Sequence, residues 1–69
     1  MTERGTVKWF NQVKNYGFIT PDGGGKDVFF HRNDIATAEK TIEDGAQVEF
    51  EVEVTPKGKE AKNVRPIEG

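Results

Sequence analysis

The 69-residue sequence has no cysteine, no serine and no leucine, and it has a single histidine, His31. Without cysteine the chain forms neither a disulfide nor a thiolate zinc site, so packing alone must hold the fold, and a reducing compartment is compatible with it. The lack of serine and cysteine removes the two commonest side-chain nucleophiles, and one histidine does not make a multi-histidine metal site. We therefore assign no catalytic residue, no metal ligand and no cofactor, and we expect a protein that is not an enzyme.

Long hydrophobic runs are also missing. No apolar segment approaches the roughly 20 residues of a membrane span, and residues 1–4 are too short and polar for a signal peptide. The hydrophobic fraction of 33% and the charged fraction of 32% are typical of an ordinary soluble domain. We expect one domain over residues 1–69 that is cytoplasmic and monomeric, with no membrane and no small-molecule substrate among its partners.

Positive charge is slightly in deficit, because the formal net charge is −2. Residues 1–35 carry five Lys and Arg against four Asp and Glu, whereas residues 36–69 carry five against eight. The first half also contains six of the seven aromatic rings. A chain with a net negative charge is poorly suited to bind a partner through phosphate contacts alone. Its more basic half, however, is the half that holds the rings.

Seventeen β-branched residues and the absence of leucine favour strands over helices. The clearest strand is Gln47–Thr55, where apolar and acidic residues alternate. Its inward face is expected to carry Val48, Phe50, Val52 and Val54. The glutamates at 49, 51 and 53 then form a solvated outer face, and such residues on an exposed strand are not a catalytic pair.

Four further runs read as strands, at 6–11, 16–20, 27–31 and about 59–67. Short turns between the first three predict an antiparallel meander. A single helical turn is expected at residues 33–35, capped by Asn33 or Asp34, followed by a long polar loop over residues 36–44. Five strands in so short a chain indicate an all-β fold closed into a five-stranded antiparallel barrel, with an SH3-like barrel as the architectural alternative.

Period-two alternation separates the side chains of the second and third strands into two faces. Ile19, Val28 and Phe30 are expected inside. The opposite face then displays Tyr16, Phe18, Phe29 and His31. Gly17 fits this arrangement because it places no side chain on the buried side beneath the rings. An exposed aromatic patch of this size is seldom found on a soluble monomer without a use.

Four cations lie in the segments around this patch, namely Lys8, Lys14, Lys26 and Arg32. Stacked rings bordered by positive charge suit single-stranded nucleic acid, whose bases offer π-faces and whose phosphates need neutralising. The run of residues 22–26 superficially suggests a phosphate loop, but its spacing is wrong and no helix follows, so we interpret it as a hairpin turn. Lys57 and Lys59 flank another turn and are interpreted as solubilising charges.

Three segments in order resemble the cold-shock domain: Lys8–Asn11, Lys14–Ile19 and Asp27–His31. The resemblance covers essentially the whole chain. It implies a five-stranded antiparallel barrel of the OB-fold type that binds single-stranded RNA and single-stranded DNA through exposed rings and acts as an RNA chaperone. Lys14–Ile19 also resembles a motif of the RRM, but that fold needs two helices that this sequence does not offer.

The sequence departs from the family pattern at several positions. Asn15 stands in place of glycine, and Tyr16 replaces a phenylalanine. Phe30 replaces a smaller valine on the inner face, and Arg32 replaces a phenylalanine. The loop at 36–44 lacks an aromatic residue that the family often has there. We therefore expect fewer stacked bases, partly compensated by the Arg32 guanidinium.

Trp9 raises a conflict between the two arguments. Strict alternation places Trp9 inside with Val7, and Phe10 outside, whereas the resemblance places Trp9 outside. A β-bulge within Lys8–Asn11 would reconcile them.

Together these arguments predict that one surface binds single-stranded nucleic acid. A non-catalytic barrel that uses the same surface to bind a protein is the alternative. The candidate contact residues are Lys8, Trp9, Asn11, Lys14, Tyr16, Phe18, Phe29, His31 and Arg32.

Overall fold

Five strands follow one another along the chain. The computed structural model describes residues 2–38 and 41–67. The strands are β1 Thr2–Asn11, β2 Tyr16–Pro21, β3 Val28–His31, β4 Gln47–Thr55 and β5 Gly58–Pro66. All five expected strands are present, and β4 has the predicted bounds. β1 begins earlier than expected because its polar start, Thr2–Thr6, pairs with β4, a contact that local sequence pattern does not reveal.

The strands close into a barrel in the order β1-β2-β3-β5-β4. The pairs β1–β2, β2–β3, β1–β4 and β4–β5 are antiparallel, as expected, whereas β3 and β5 pair in parallel through Phe29 and Glu60. A parallel pair is unavoidable, because an odd number of strands cannot alternate in direction all the way round a ring. The predicted barrel is confirmed, but the prediction that all of its strand pairs are antiparallel is wrong for β3 and β5.

The barrel interior holds apolar side chains from every strand and from the segments between them. Val52, expected inside, is half-buried and packs against this core. The buried residues are Val7, Ile19, Val28, Phe30, Ile35, Ile42, Val48, Phe50, Ala61 and Val64. Ile42 belongs to the loop at 36–44 that was predicted to be polar, so this loop also supplies one side chain to the core.

Val54 was wrongly predicted to lie inside, because 77% of its surface is exposed. Among the described residues β1 pairs with β4 as far as Glu51, so within that part of the chain the end of β4 has β5 as its sole neighbour in the sheet. Val54 pairs there with Lys59 in a two-stranded extension that reaches beyond the barrel. Alternation continues along the strand, but no core lies beneath it.

The strand β1 contains the bulge that the conflict over Trp9 required. The pairing register shifts between Val7, which faces Ile19 across the ladder, and Trp9, which faces Phe18. The extra residue, Lys8, lets Val7 point inward with 1% of its surface exposed while Trp9 lies among outward-facing rings.

The same shift turns Phe10 inward, against the expectation from strict alternation. Its ring stacks on that of Phe30, with centroids 5.5 Å apart and planes 15° from parallel. Phe30 is fully buried, and the small neighbour that accommodates its larger side chain is Gly17.

The expected helical turn is a 3₁₀ helix, Arg32–Asp34, which begins one residue earlier than predicted. Its cap is His31, so the prediction of Asn33 or Asp34 was wrong; the Asp34 side chain instead accepts a hydrogen bond from the His31 backbone N–H. In the loop at 36–44, Glu39 and Lys40 lie outside the described residues, and the rest carries no helix. The described helical structure is far short of the length and apolar character that a membrane crossing needs.

Candidate nucleic-acid interface

Four aromatic side chains meet on the outer surface of β1, β2 and β3, and we call them the ring cluster. Its members are Trp9, Tyr16, Phe18 and Phe29. Neighbouring ring centroids lie between 5.3 and 6.4 Å apart. All four side chains are half-buried, so each keeps part of its surface open to solvent. Distances of this order are typical of aromatic pairs that stabilise each other's orientation.

Strand pairing produces this cluster from residues that are spread along the chain. Phe18 faces Phe29 across the β2–β3 ladder, and the bulge brings Trp9 opposite Phe18. Tyr16 faces His31 at the end of the same ladder, so the imidazole extends the row of rings. The outward placement expected for these side chains is therefore observed.

Gly17 lets β1 pass directly behind the rings. A Cβ at this position would lie 2.3 Å from the Trp9 carbonyl oxygen and 2.9 Å from the Phe10 Cα, distances that real Cβ atoms do not show. Any side chain at Gly17 would thus push β1 away from β2 and separate Trp9 from Phe18. The glycine supports the cluster through close backbone approach, whereas the sequence indicated only that it places no side chain on the buried side.

Lys8, a candidate phosphate contact, is held by a carboxylate. Its Nζ donates to Asp27 Oδ2 at 3.0 Å, and the Thr20 hydroxyl donates to Asp27 Oδ1 at 3.1 Å. The hydrogen bond from Lys8, supported by that from Thr20, lowers the pKa of Asp27. Lys8 remains 56% exposed in its side chain, so a phosphate would compete with Asp27 for an accessible ammonium group.

Lys14 and Arg32 lie at one end of the ring cluster, the end where Tyr16 pairs with His31. Lys14 is in the turn before β2, and the Arg32 backbone N–H donates to the Asn15 carbonyl oxygen at 2.8 Å, which brings the two segments together. Both side chains are exposed. Within the described ranges neither has a carboxylate partner, so both charges are available to a ligand.

Three further lysines lie at the opposite end of the cluster, around a groove of about 550 Å³ lined by Phe18 and Phe29. They are Lys26, Lys57 and Lys59. The last two were interpreted as solubilising charges, and no local pattern ties them to the rings. The strand order places these lysines beside the rings, because the parallel pairing of Phe29 with Glu60 brings the start of β5 alongside β3.

Asn11 shapes the turn between β1 and β2. Its side-chain oxygen accepts the backbone N–H groups of Val13 at 2.9 Å and Lys14 at 3.0 Å. The backbone of Asn15, which closes this turn, has a φ of 62°, a left-handed conformation that asparagine tolerates better than most residues. The Asn11 oxygen is therefore engaged within the protein, and ligand contact by this residue stays a prediction.

His31 combines an outward ring with a structural role. Its Nδ1 accepts the Asn33 backbone N–H at 3.2 Å, while its own backbone N–H donates to Asp34 Oδ2 at 2.9 Å. These bonds hold the imidazole at the boundary between β3 and the 3₁₀ helix. The cluster, the imidazole and the flanking cations form one surface suited to stacking and phosphate contact.

The chain matches the family described as the "'Cold-shock' DNA-binding domain" over residues 3–67. It is 56% identical over 64 residues to "Cold shock-like protein CspA" of Stigmatella aurantiaca, a match that covers 91% of this chain and 94% of that protein. Its identity to "Cold shock-like protein CspD" of Escherichia coli strain K12 is 46% over 67 residues, covering 96% and 90%.

A solved structure titled "drosophila Unr CSD456" superposes with a TM-score of 0.83 and 20% sequence identity. The match covers 99% of this chain and 27% of that longer one. At this identity the likeness supports the barrel fold and nothing finer.

Proposed function

The chain belongs to the cold-shock DNA-binding domain family, a family of nucleic-acid-binding proteins, and from that premise we propose that its ring cluster binds unpaired RNA or DNA by base stacking. The observation that carries the proposal is the contact of four half-exposed rings on one outer surface. Every base has a π-face, so a row of rings accepts successive bases with little sequence preference. A paired base has its faces covered by stacking neighbours.

Base stacking supplies enough free energy for the proposed binding. Each base stacked on an aromatic ring contributes about 1–3 kcal/mol, so the four rings give roughly 4–12 kcal/mol before costs. Ordering a flexible strand and losing its translational freedom consume a substantial part of that gain. The remainder suits reversible binding and needs no strongly basic chain, which agrees with the net charge of −2.

In this proposal the cations at the two ends of the ring cluster supply the phosphate contacts. For single strands each neutralised phosphate steepens the slope of log K on log salt by about 0.7. If Lys14, Arg32, Lys26, Lys57 and Lys59 all contributed, the slope would be about −3.5. A steeper dependence would mean that phosphates, rather than stacking, dominate the affinity.

The proposed mechanism is that of a passive RNA chaperone. The protein binds the open form of an RNA hairpin and does not bind the paired stem in the same way, so it shifts the equilibrium toward the open form. The shift is limited by its differential affinity for the two forms, and it needs neither ATP nor a cofactor. We infer a non-catalytic, monomeric single domain without a small-molecule substrate, and cytoplasmic location stays a prediction.

A titration of Trp9 fluorescence tests the proposal directly, because Trp9 is the single tryptophan in the sequence and lies within the ring cluster. We expect a hexathymidine DNA and a hexauridine RNA to quench it, because a stacked base covers the indole. A hairpin of matched length with a fully paired stem is the control and should quench much less. Absence of quenching at strand concentrations of tens of micromolar, about the level at which even nonspecific complexes form, would contradict single-strand binding.

The same ring cluster favours a second candidate, a barrel that binds an exposed protein segment. Salt distinguishes the two, because release of counterions from a phosphate backbone makes nucleic-acid affinity fall with salt. We expect the hexathymidine affinity to decline with a slope between about −1.5 and −3.5. A slope near zero would favour the protein-binding candidate.

A further inference from the structure

Asp34 connects His31 to a lysine on the neighbouring strand. Its Oδ2 accepts the His31 backbone N–H at 2.9 Å, and its Oδ1 accepts from Lys62 Nζ at 3.0 Å. The Asp34 side chain is only 12% exposed, so both carboxylate oxygens are largely shielded and committed to these partners. Asp34 thus holds the point where β3 ends and the 3₁₀ helix begins.

Lys62 lies on β5 and holds the Asp34 carboxylate from across the junction between β3 and β5 that closes the barrel. At this junction the β3–β5 ladder pairs Phe29 with Glu60, and a separate parallel bridge joins Ile35 to Val64 beyond the 3₁₀ helix. Lys62 Nζ also lies 3.4 Å from Glu60 Oε2, which places one ammonium between two carboxylates. The hydrogen bond to Asp34 is the main cause that raises the pKa of Lys62.

The 3₁₀ helix in turn determines which nitrogen of His31 faces a ligand. The Asn33 backbone N–H donates to Nδ1, so Nδ1 must be the unprotonated nitrogen of the neutral ring. Nε2 then carries the proton and is a hydrogen-bond donor. His31 lies beside Tyr16 in the row of outward-facing rings, where such a donor can meet the edge of a base stacked nearby.

We propose that Asp34 is a positioning residue for His31: by holding the His31 backbone it aims the Asn33 N–H at Nδ1 and presents Nε2–H to an acceptor atom of an unpaired base. Lys62 keeps the Asp34 carboxylate in place. The ligand-facing part of this inference rests on the proposed function. The tautomer of the free protein does not depend on it.

The first experiment reads the tautomer by ¹⁵N NMR of imidazole-labelled protein near pH 8, without nucleic acid. We expect the Nε2–H tautomer in the unsubstituted protein and a mixture of both tautomers in Asp34→Ala. Asp34→Asn should restore most of the Nε2–H form, because its amide oxygen still accepts the His31 N–H. Identical spectra for the unsubstituted protein and Asp34→Ala would overturn the proposal.

The second experiment is a double-mutant cycle with hexathymidine as the probe. Asp34→Ala should weaken binding about three- to tenfold when His31 is present and by less than about 1.5-fold in a His31→Ala background, because the two residues act as one unit. Equal losses in both backgrounds would overturn the proposal. If the unsubstituted protein fails to bind the probe, the proposed function fails, and the tautomer alone then decides the positioning role.

Arg65→Met is the matched control. It removes an ion pair made by the same strand as Lys62, since Arg65 Nη2 lies 3.6 Å from Glu49 Oε1, and no contact among the described residues joins Arg65 to His31. The control should leave both the tautomer and the affinity unchanged. If Asp34→Ala does not fold, Lys62→Met replaces it. That variant should shift the tautomer in the same direction and by a smaller amount, and an unchanged tautomer there would equally overturn the proposal.

Discussion

The outward positions of β2 and β3 carry aromatic rings, whereas those of β4 carry carboxylates. On the acidic face Glu49 lies 3.6 Å from Arg65, so this cation is held within the protein. Beside the rings, Lys14 and Arg32 have no carboxylate partner within the described ranges. The net charge of −2 is therefore an average over two unlike surfaces. A ligand meets a local surface, so the sign of the whole chain is a poor guide to its partner.

Phe30 and Phe29 provide the strongest test of this contrast, because neighbours in one strand have opposite roles. Phe30 is fully buried and stacks on Phe10, so Phe30→Ala should lower the free energy of unfolding by about 3–5 kcal/mol through lost burial and a cavity. Urea denaturation followed by circular dichroism measures this. A variant as stable as the unsubstituted protein would contradict the assignment of this ring to the core.

Phe29→Ala should affect binding more than folding. Its half-exposed ring contacts Tyr16 and Phe18, so we expect hexathymidine binding to weaken by about 1–3 kcal/mol while the barrel stays folded. Trp9 fluorescence measures the affinity. Val54→Ala is the control, because it shortens an exposed apolar side chain on the acidic strand and should leave affinity unchanged. Equal losses in the two variants would remove the distinction between the faces.

Charge removal sharpens the contrast with a smaller effect. The double variant Lys14→Gln with Arg32→Gln should reduce the magnitude of the salt slope by about 1.4, since each unpaired cation accounts for about 0.7. The matched comparison is Arg65→Gln with Arg4→Gln, which removes the same charge from the side of the barrel that carries the glutamates. Its slope should hardly change, since these charges make no phosphate contact. If both double variants lose slope equally, the cations beside the rings have no special role.

The smallest effect concerns the Lys8–Asp27 ion pair. The pKa of Asp27 is lowered in the folded protein, so its contribution to stability is present above the unfolded value of about 4 and is lost as pH falls through the folded value. Asp27→Asn should therefore lower Tm slightly at about pH 7, and this difference should shrink as the pH falls through the folded pKa of Asp27. A thermal melt at each pH checks this.

Several features of the site followed from short-range pattern. Alternation placed Tyr16 and Phe18 outward, and it placed Ile19 in the core. Asn15 was expected to tolerate the left-handed conformation that it adopts. The predicted bulge in β1 is present, although its position at Lys8 is defined only by the ladder with β2. Each of these features depends on residues that are close together in the chain or on adjacent strands.

Other features required the complete barrel. Val54 continues a perfect alternation but lies beyond the end of the β1–β4 ladder, so its exposure depends on strand lengths rather than on pattern. Lys57 and Lys59 reach the ring cluster only because β5 closes against β3. Asp27 engages Lys8 from a turn nineteen residues further along the chain. No local rule encodes these neighbours.

By itself the sequence determined the all-β class, the two faces of β2 and β3 and the outward placement of Tyr16, Phe18 and Phe29. Those properties depend on side-chain alternation and backbone preference, which act over a few residues. The tertiary structure decided the parallel closing pair, the second group of cations beside the rings and the partners that hold Lys8 and Asp34. The physical reason is closure: a ring of five strands cannot alternate in direction throughout, so one pair, β3 and β5, is parallel, and closing the ring creates contacts between segments that no short-range interaction links.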